Sequence, residues 1–185
     1  MKLIIGLGNP EERYTNTRHN LGFRVLDAYG KKNGADFAPK EKFKAHVAEL
    51  IVAGEKVILA KPTTYYNNAG ECVRSLVDFY KPEADSILVV HDELALPFGT
   101  IRTRIGGSDA GNNGVKSITQ HMGPDTARIR IGVYNDLRDR IDDADFVLSN
   151  FTKVETKALS DVTLPKAIQI IDDFVADNFA HTTHA

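Results

Sequence analysis

His19 and Asp92 are the residues of this 185-residue chain best suited to catalysis. An imidazole changes charge near neutral pH, and a carboxylate on one ring nitrogen fixes the tautomer that leaves the other nitrogen free to take a proton from water. Asparagines stand at the places where elements should meet. Asn9 lies in the turn Gly8-Asn9-Pro10, Asn67 and Asn68 follow a strand, and Asn113 closes a glycine-rich loop. An asparagine side chain offers donors and an acceptor without charge. Three of them around a base suit a substrate made of peptide groups, whose N–H and C=O need matched partners. His91 competes with Asp92, but strand neighbours point to opposite faces, so at most one of the two faces a common cleft.

Such residues act together only if the fold makes them converge. Lys2 to Gly6 reads as a short buried strand, closed by Gly8-Asn9-Pro10. Leu21, Val25 and Ala28/Tyr29 recur at helical spacing, bounded by Gly30 and Gly34. Phe43 to Val52 and Lys56 to Ala60 form a hairpin around Ala53-Gly54-Glu55, and Pro62 stops its second strand. A helix from about Ala69 to Tyr80 precedes Pro82, and the apolar Ser86 to Val90 suits a central strand. Thr100 to Ile105 and Arg128 to Ile131 alternate as half-buried strands. Between them the loop Gly106 to Gly114 leads into a helix around Val115 to His121. Asn135 to Asp145 is polar and reads as a mobile surface segment. Thr152 and Glu155 stand as in a capping box, ahead of one kinked helix or two around Pro165. Phe179 to Ala185 has nothing to pack against and reads as a flexible tail.

Strands alternating with helices imply an α/β fold. The expectation is a single open, twisted, mixed (partly parallel) sheet with helices on both faces, forming one domain over residues 1–178. In open α/β sheets ligands bind beyond the carboxyl ends of the strands. Asn9, Asn67, Asp92 and Asn113 all fall at such ends, and His19 starts the first helix, so one cleft should collect them.

Composition narrows the class. With 42% apolar and 26% charged residues the chain is globular, and its single cysteine, Cys72, permits no internal disulfide. No apolar run is long enough to span a bilayer, and Met1-Lys2 leads straight into the first strand, so a cytoplasmic protein without a cleavable leader is expected. The net charge of −2 argues mildly against nucleic acid. From Phe98 to Arg140, however, seven basic residues, among them Arg102, Arg104, Lys116, Arg128 and Arg130, face four acidic ones. Gly6-x-Gly8 lacks the third glycine of a dinucleotide site, Gly106 to Gly111 lacks the lysine of a phosphate loop, and no Gly-x-Ser-x-Gly elbow exists. The histidines lack metal-ligand spacing. No cofactor or metal is expected.

Five ordered blocks then carry a resemblance. Gly6-Leu7-Gly8-Asn9-Pro10, with Tyr14, Thr17-Arg18-His19-Asn20 and Gly22-Phe23, is similar to the opening signature of bacterial-type peptidyl-tRNA hydrolases. Lys61-Pro62-Thr63-Thr64-Tyr65-Tyr66-Asn67 resembles their second block, and His91-Asp92-Glu93-Leu94 with Leu96-Pro97 and Gly99 their third. Gly106-Gly107, Gly111, Asn113-Gly114 and Lys116-Ser117-Ile118 resemble the fourth, and Arg128-Ile129-Arg130-Ile131-Gly132 the fifth. The resemblance implies hydrolysis of the ester between a peptide and the 3′ ribose of tRNA. His19 would activate the water and Asp92 orient His19. Asn9, Tyr14, Tyr66, Asn67 and Asn113 would bind the substrate. Arg104 and Arg130, with Arg102 and Lys116 nearby, would take tRNA phosphates. The implied partner is tRNA carrying a peptide or an N-blocked amino acid, met by a monomer away from any membrane.

Four positions depart from the family pattern. Glu11 replaces a usual glycine, Tyr66 a common methionine and Asn112 a frequent histidine, and Val133-Tyr134-Asn135 replaces a Gly-Arg-Pro-like stretch. These put pocket shape in question, not the presence of the base. Two rival readings are a non-catalytic RNA-binding relative of the same fold and a small-molecule esterase, the latter distinguished by insensitivity to salt.

Overall fold

Leu3, Ile4 and Ile5 are wholly buried because strand β1 (Lys2–Gly6) has a strand on each side and a helical layer on each face. The computed structural model describes residues 1–184. After β1, helix α1 (Leu21–Lys32) leads to β2 (Ala38–Lys40), β3 (Ala45–Val52) and β4 (Glu55–Pro62). Helix α2 (Ala69–Tyr80), β5 (Ile87–Pro97), β6 (Ile101–Ile105), α3 (Asn113–Met122) and β7 (Ala127–Tyr134) follow. The chain ends with α4 (Asp143–Val147), α5 (Lys153–Ala158), α6 (Leu164–Val175) and β8 (Thr183–His184).

Among the described residues eight strands form one mixed sheet in the order β2-β3-β4-β1-β5-β7-β6-β8. The central β4-β1-β5-β7 strands are mutually parallel, while β2, β3, β6 and β8 are added antiparallel. Side-chain alternation divides the core. Leu3 and Ile5 pack with Cys72, Val73 and Leu76 of α2 and Val115 and Ile118 of α3. Ile4 packs on the other face with Val25 and Leu26 of α1, Phe146 of α4, and Ile171 and Phe174 of α6. The expected open sheet with helices on both faces is the fold found.

Four local details differ from, or decide between, the sequence expectations. Strand β5 runs to Pro97, well past Val90, because β7 offers a parallel partner as far as Gly132 before the register shifts. Around Pro165 the chain is one continuous helical run, in which a π turn over Leu159–Thr163 joins α5 to α6. That wider turn absorbs the backbone bond that proline cannot make. Residues 179–184 do find packing partners. Phe179 meets Phe174 edge-on at 5.5 Å, Thr182 donates its N–H to Thr103 Oγ1 at 2.8 Å, and β8 pairs with β6. Without them β6 would be a bare sheet edge. Ala185 lies outside the described residues. The segment expected to be a mobile surface stretch, Asn135 to Asp145, is tied down at two points: Asn135 Nδ2 donates to Glu155 at 2.7 Å, and Arg138 to the Leu94 carbonyl at 2.9 Å. Among the described residues no helix is long and apolar enough to cross a membrane.

Candidate active site

The carboxyl ends of β1, β4 and β5, with the 3₁₀ turn before α1, the start of α3 and helix α4, surround a cavity of about 500 Å³. Its floor and rim include Asn9, His19, Tyr66, Asn67, Asp92, Asn112 and Asn113. Close backbone approach makes the convergence possible. A Cβ on Gly22, in the first turn of α1, would lie 2.4 Å from the Val90 carbonyl of β5. Only glycine lets α1 start against the strand ends, which places the preceding 3₁₀ turn, Arg18–Asn20, beside Asp92.

His19 Nδ1 lies 2.9 Å from Asp92 Oδ2. Asp92 is 2% and His19 16% exposed, so the pair is shielded while the imidazole still lines the cavity. A carboxylate only accepts, so Nδ1 carries a proton, and in the neutral ring Nε2 keeps the lone pair. The other oxygen, Asp92 Oδ1, accepts the Tyr66 hydroxyl at 2.6 Å. Asn112 Nδ2 donates to that hydroxyl oxygen at 2.8 Å, and the Tyr66 ring stacks on the His19 ring at 3.4 Å and 9°. Burial works to raise the Asp92 carboxyl. The facing His19, its hydrogen bond and that of Tyr66 outweigh burial and hold Asp92 below its ordinary 3.8. Burial first, and then the Asp92 charge, push the Tyr66 phenol well above 10.0. His91 points away from the cavity. It is buried, its Nδ1–H donates to the Asp92 carbonyl at 2.7 Å, and burial lowers its imidazole. Of the two adjacent candidates, Asp92 is the one in the cleft.

The asparagines differ in freedom. Asn9 Oδ1 accepts the Tyr66 backbone N–H at 2.9 Å, which leaves its Nδ2 donors for the cavity. Its backbone is clamped twice by Asn20: Asn9 N–H donates to Asn20 Oδ1 and Asn20 Nδ2 donates to the Asn9 carbonyl, both at 2.9 Å. Asn67 and Asn113 are exposed on the rim. Tyr14 is not brought to the cavity; it sits on an outer 3₁₀ turn with the Arg13 guanidinium over its ring. Leu94, Ala144, Val147 and Leu148 give the cavity an apolar side.

Beyond this rim the β6–β7 face carries the arginines. Arg102 is opposite Arg130 and Arg104 opposite Arg128 in the antiparallel register. Arg102 and Arg104 are exposed, as is Lys116 on α3. Arg130 is bound to Glu93 (Nη2 to Oε2, 2.8 Å). The buried Arg128 donates to the carbonyls of Ser108, Gly107 and Pro124 and so pins the glycine loop.

Sequence reasoning gave Asn20, Arg18 and Arg128 no role in the site, and marked Asn112 only as a departure that puts pocket shape in question. Arg18, 1% exposed, makes a bidentate pair with Glu155 at 3.0 Å and lies over the rings of Phe146 and Phe151. Each stands next to, or two residues from, a residue that was identified, and that adjacency was the available signal. The departures also acquire contacts. Glu11 accepts the Tyr65 hydroxyl at 2.5 Å across the rim, and Tyr65 has φ +62°. Cys72 is core, and burial pushes its thiol up to about 12. Among the described residues no three His, Cys, Asp or Glu side chains are grouped to hold a metal ion.

Comparison with known proteins bears on the family and the fold. The sequence pattern of the Peptidyl-tRNA hydrolase family matches residues 3–185. The chain is 42% identical to a peptidyl-tRNA hydrolase of Ligilactobacillus salivarius over 184 residues, 98% of this chain and 97% of the relative. It is 44% identical to one of Exiguobacterium sibiricum over 180 residues, 97% of this chain and 96% of the relative. The crystal structure of peptidyl-tRNA hydrolase from Acinetobacter baumannii superposes with a TM-score of 0.87 at 33% identity, covering 96% of this chain and 89% of the other. The chain therefore belongs to the peptidyl-tRNA hydrolase family.

Proposed function

We propose that this protein hydrolyses the ester of N-substituted aminoacyl-tRNA, releasing peptide and free tRNA by direct attack of water. The observation that carries this reading is the shielded His19–Asp92 pair on the floor of a cavity rimmed by Asn9, Asn67 and Asn113. His19 Nε2 takes a proton from water as the water oxygen bonds to the ester carbonyl carbon. Asp92 holds the ring and stabilises the imidazolium that forms. When the tetrahedral intermediate collapses, the carbon–oxygen bond to the ribose breaks and the same nitrogen returns its proton to the leaving oxygen. No covalent enzyme intermediate is needed.

The rim selects the substrate. Asn9 Nδ2 is a free donor for a peptide carbonyl, and the exposed amides of Asn67 and Asn113 match peptide N–H and C=O groups. A free α-amino ester, which lacks the peptide bond, leaves such groups unpaired, and sites of this kind discriminate by on the order of 10⁴-fold. Arg102, Arg104 and Lys116 offer exposed charge for tRNA phosphates, with Arg130 sharing its charge with Glu93. The test is release of N-acetyl-amino acid from acylated tRNA, beside the same tRNA with a free α-amino group, by wild type and His19→Ala. Cleavage of the blocked substrate alone, reduced in the variant by on the order of 10² to 10⁴, supports the reading. Full activity in the variant removes His19 from the role. Salt-sensitive tRNA binding without release by either protein moves the function to non-catalytic RNA binding.

A further inference from the structure

Tyr66 and Asn112 form a second polar arm on Asp92 that the hydrolytic reading has not used. Asp92 has two oxygens and each has one donor, His19 Nδ1–H on Oδ2 and the Tyr66 hydroxyl on Oδ1. A hydroxyl donates one proton, and its direction is set by what approaches its oxygen. Here the Asn112 amide donates to the Tyr66 oxygen, so the phenolic proton is left pointing at Asp92. The Asn112 orientation is itself decided, because its Oδ1 accepts the Val115 N–H as the N-cap of α3 at 3.0 Å. A helix cap thus fixes an amide, the amide fixes a phenol, and the phenol fixes the carboxylate that fixes His19. The Tyr66 ring closes the circuit by stacking flat on the imidazole.

We infer that Tyr66 is a positioning residue for His19, acting through Asp92 and by ring stacking, and that Asn112 sets the direction of its hydroxyl. This rests on the hydrolytic reading above and reassigns Tyr66 from gripping substrate to aligning the base. The polar arm locks the carboxylate plane, so the His19 ring cannot follow a rotating Asp92 away from the attack line. Its effect belongs to the chemical step, with little on substrate binding.

The test compares wild type, Tyr66→Phe, Asn112→Ser and the double variant, measuring kcat and KM on N-acetyl-aminoacyl-tRNA together with Tm. Phenylalanine keeps the stack and loses the hydroxyl. Serine keeps a capping oxygen for α3 and loses the amide donor. Hydrogen bonds to charged groups are the strong ones, so Tyr66→Phe should lower kcat about 10-fold with KM within about twofold. Asn112→Ser should lower kcat by a smaller factor in the wild-type background and hardly at all in the Y66F background, because the short contact of the amide is to the hydroxyl at 2.8 Å, while its approaches to the Asp92 carbonyl and His91 Nδ1 are long, both 3.4 Å. Unchanged kcat in Tyr66→Phe, a loss confined to KM, or two losses that simply multiply would each overturn the inference. If Tyr66→Phe fails to fold, Asn112→Ser alone must still lower kcat at constant KM. A wild-type protein that does not cleave the substrate defeats the hydrolytic reading itself and this inference with it.

Discussion

Replacing Gly114 with alanine separates helix propensity from active-site geometry, because the two act in opposite directions. Gly114 lies in the first turn of α3, where alanine should favour the helix by about 1 kcal/mol. The new Cβ, however, would stand 2.5 Å from Tyr66 Cε1 and 2.7 Å from Cδ1. Ordinary contact begins near 3.4 Å, so the ring or the helix must give by about 0.9 Å. The ring is the smaller body, yet it is stacked on His19 at 3.4 Å and bonded to Asp92 at 2.6 Å. Overpacking of this kind costs about 1–3 kcal/mol, so propensity leaves a net destabilisation of roughly 0–2 kcal/mol. A misplacement near 1 Å at a base is worth about 10²-fold in rate, some 2.7 kcal/mol on the barrier. The assay is single-turnover release of labelled N-acetyl-amino acid from tRNA, with Tm followed by circular dichroism. The expected result is kcat down about 10²-fold with Tm changed by only a few degrees. Full kcat, with or without a fall in Tm, would refute the reasoning, since it would mean that the helix moves and the ring does not.

Four further outcomes are expected. Asp92→Asn sets an NH₂ against one of two donors, His19 Nδ1–H or Tyr66 O–H, and should lower kcat by on the order of 10² to 10⁴. Because the folded Asp92 carboxyl lies below its ordinary 3.8, the stability it contributes is complete above that pH and is lost as pH falls through the lower folded value; acid titration of the same variant should show that portion of the loss missing. Glu155→Gln breaks the bidentate partner of the buried Arg18 and should cost about 3–5 kcal/mol in urea unfolding, whereas a loss under about 1 kcal/mol would show the pair to be idle. Arg102→Ala with Arg104→Ala should reduce the slope of log affinity for tRNA against log salt by about 2 and leave hydrolysis at saturating substrate unchanged, and an unaltered slope would place the tRNA elsewhere.

The parts of this architecture that could be read from residues alone were those set by local chemistry. The apolar run Leu3-Ile4-Ile5 had to be interior, and polar residues at strand ends had to meet, so the His19–Asp92 approach and the rim asparagines followed. The Thr152–Glu155 capping box was also visible, since its spacing is its mechanism. What escaped depends on how distant segments abut. The Tyr66 hydroxyl reaches Asp92 only because the turn after β4 lies over the end of β5, and no period in either segment encodes that distance. The course of His91 to Pro97 as strand required knowing that β7 runs alongside. Arg128 looked equivalent to Arg130 in the alternation, but the glycine loop and Pro124 hold one buried and leave the other half open. The last residues looked idle because their partner, Thr103, lies far back in the chain.

The parallel pairing of β1 bears on how the molecule is made. Its first strand emerges early in synthesis, yet its two neighbours begin only at Glu55 and Ile87, and β7 not until Ala127. Until β4 and β5 have been made, Leu3, Ile4 and Ile5 lack their strand partners and are the kind of segment that seeks wrong ones. Closing loops of that length before any contact is rewarded slows folding, so most of the chain must be translated before the centre of the sheet closes. The carboxyl ends of β1 and β5 carry Asn9 and Asp92, which therefore come together only once Ile87–Pro97 has been made.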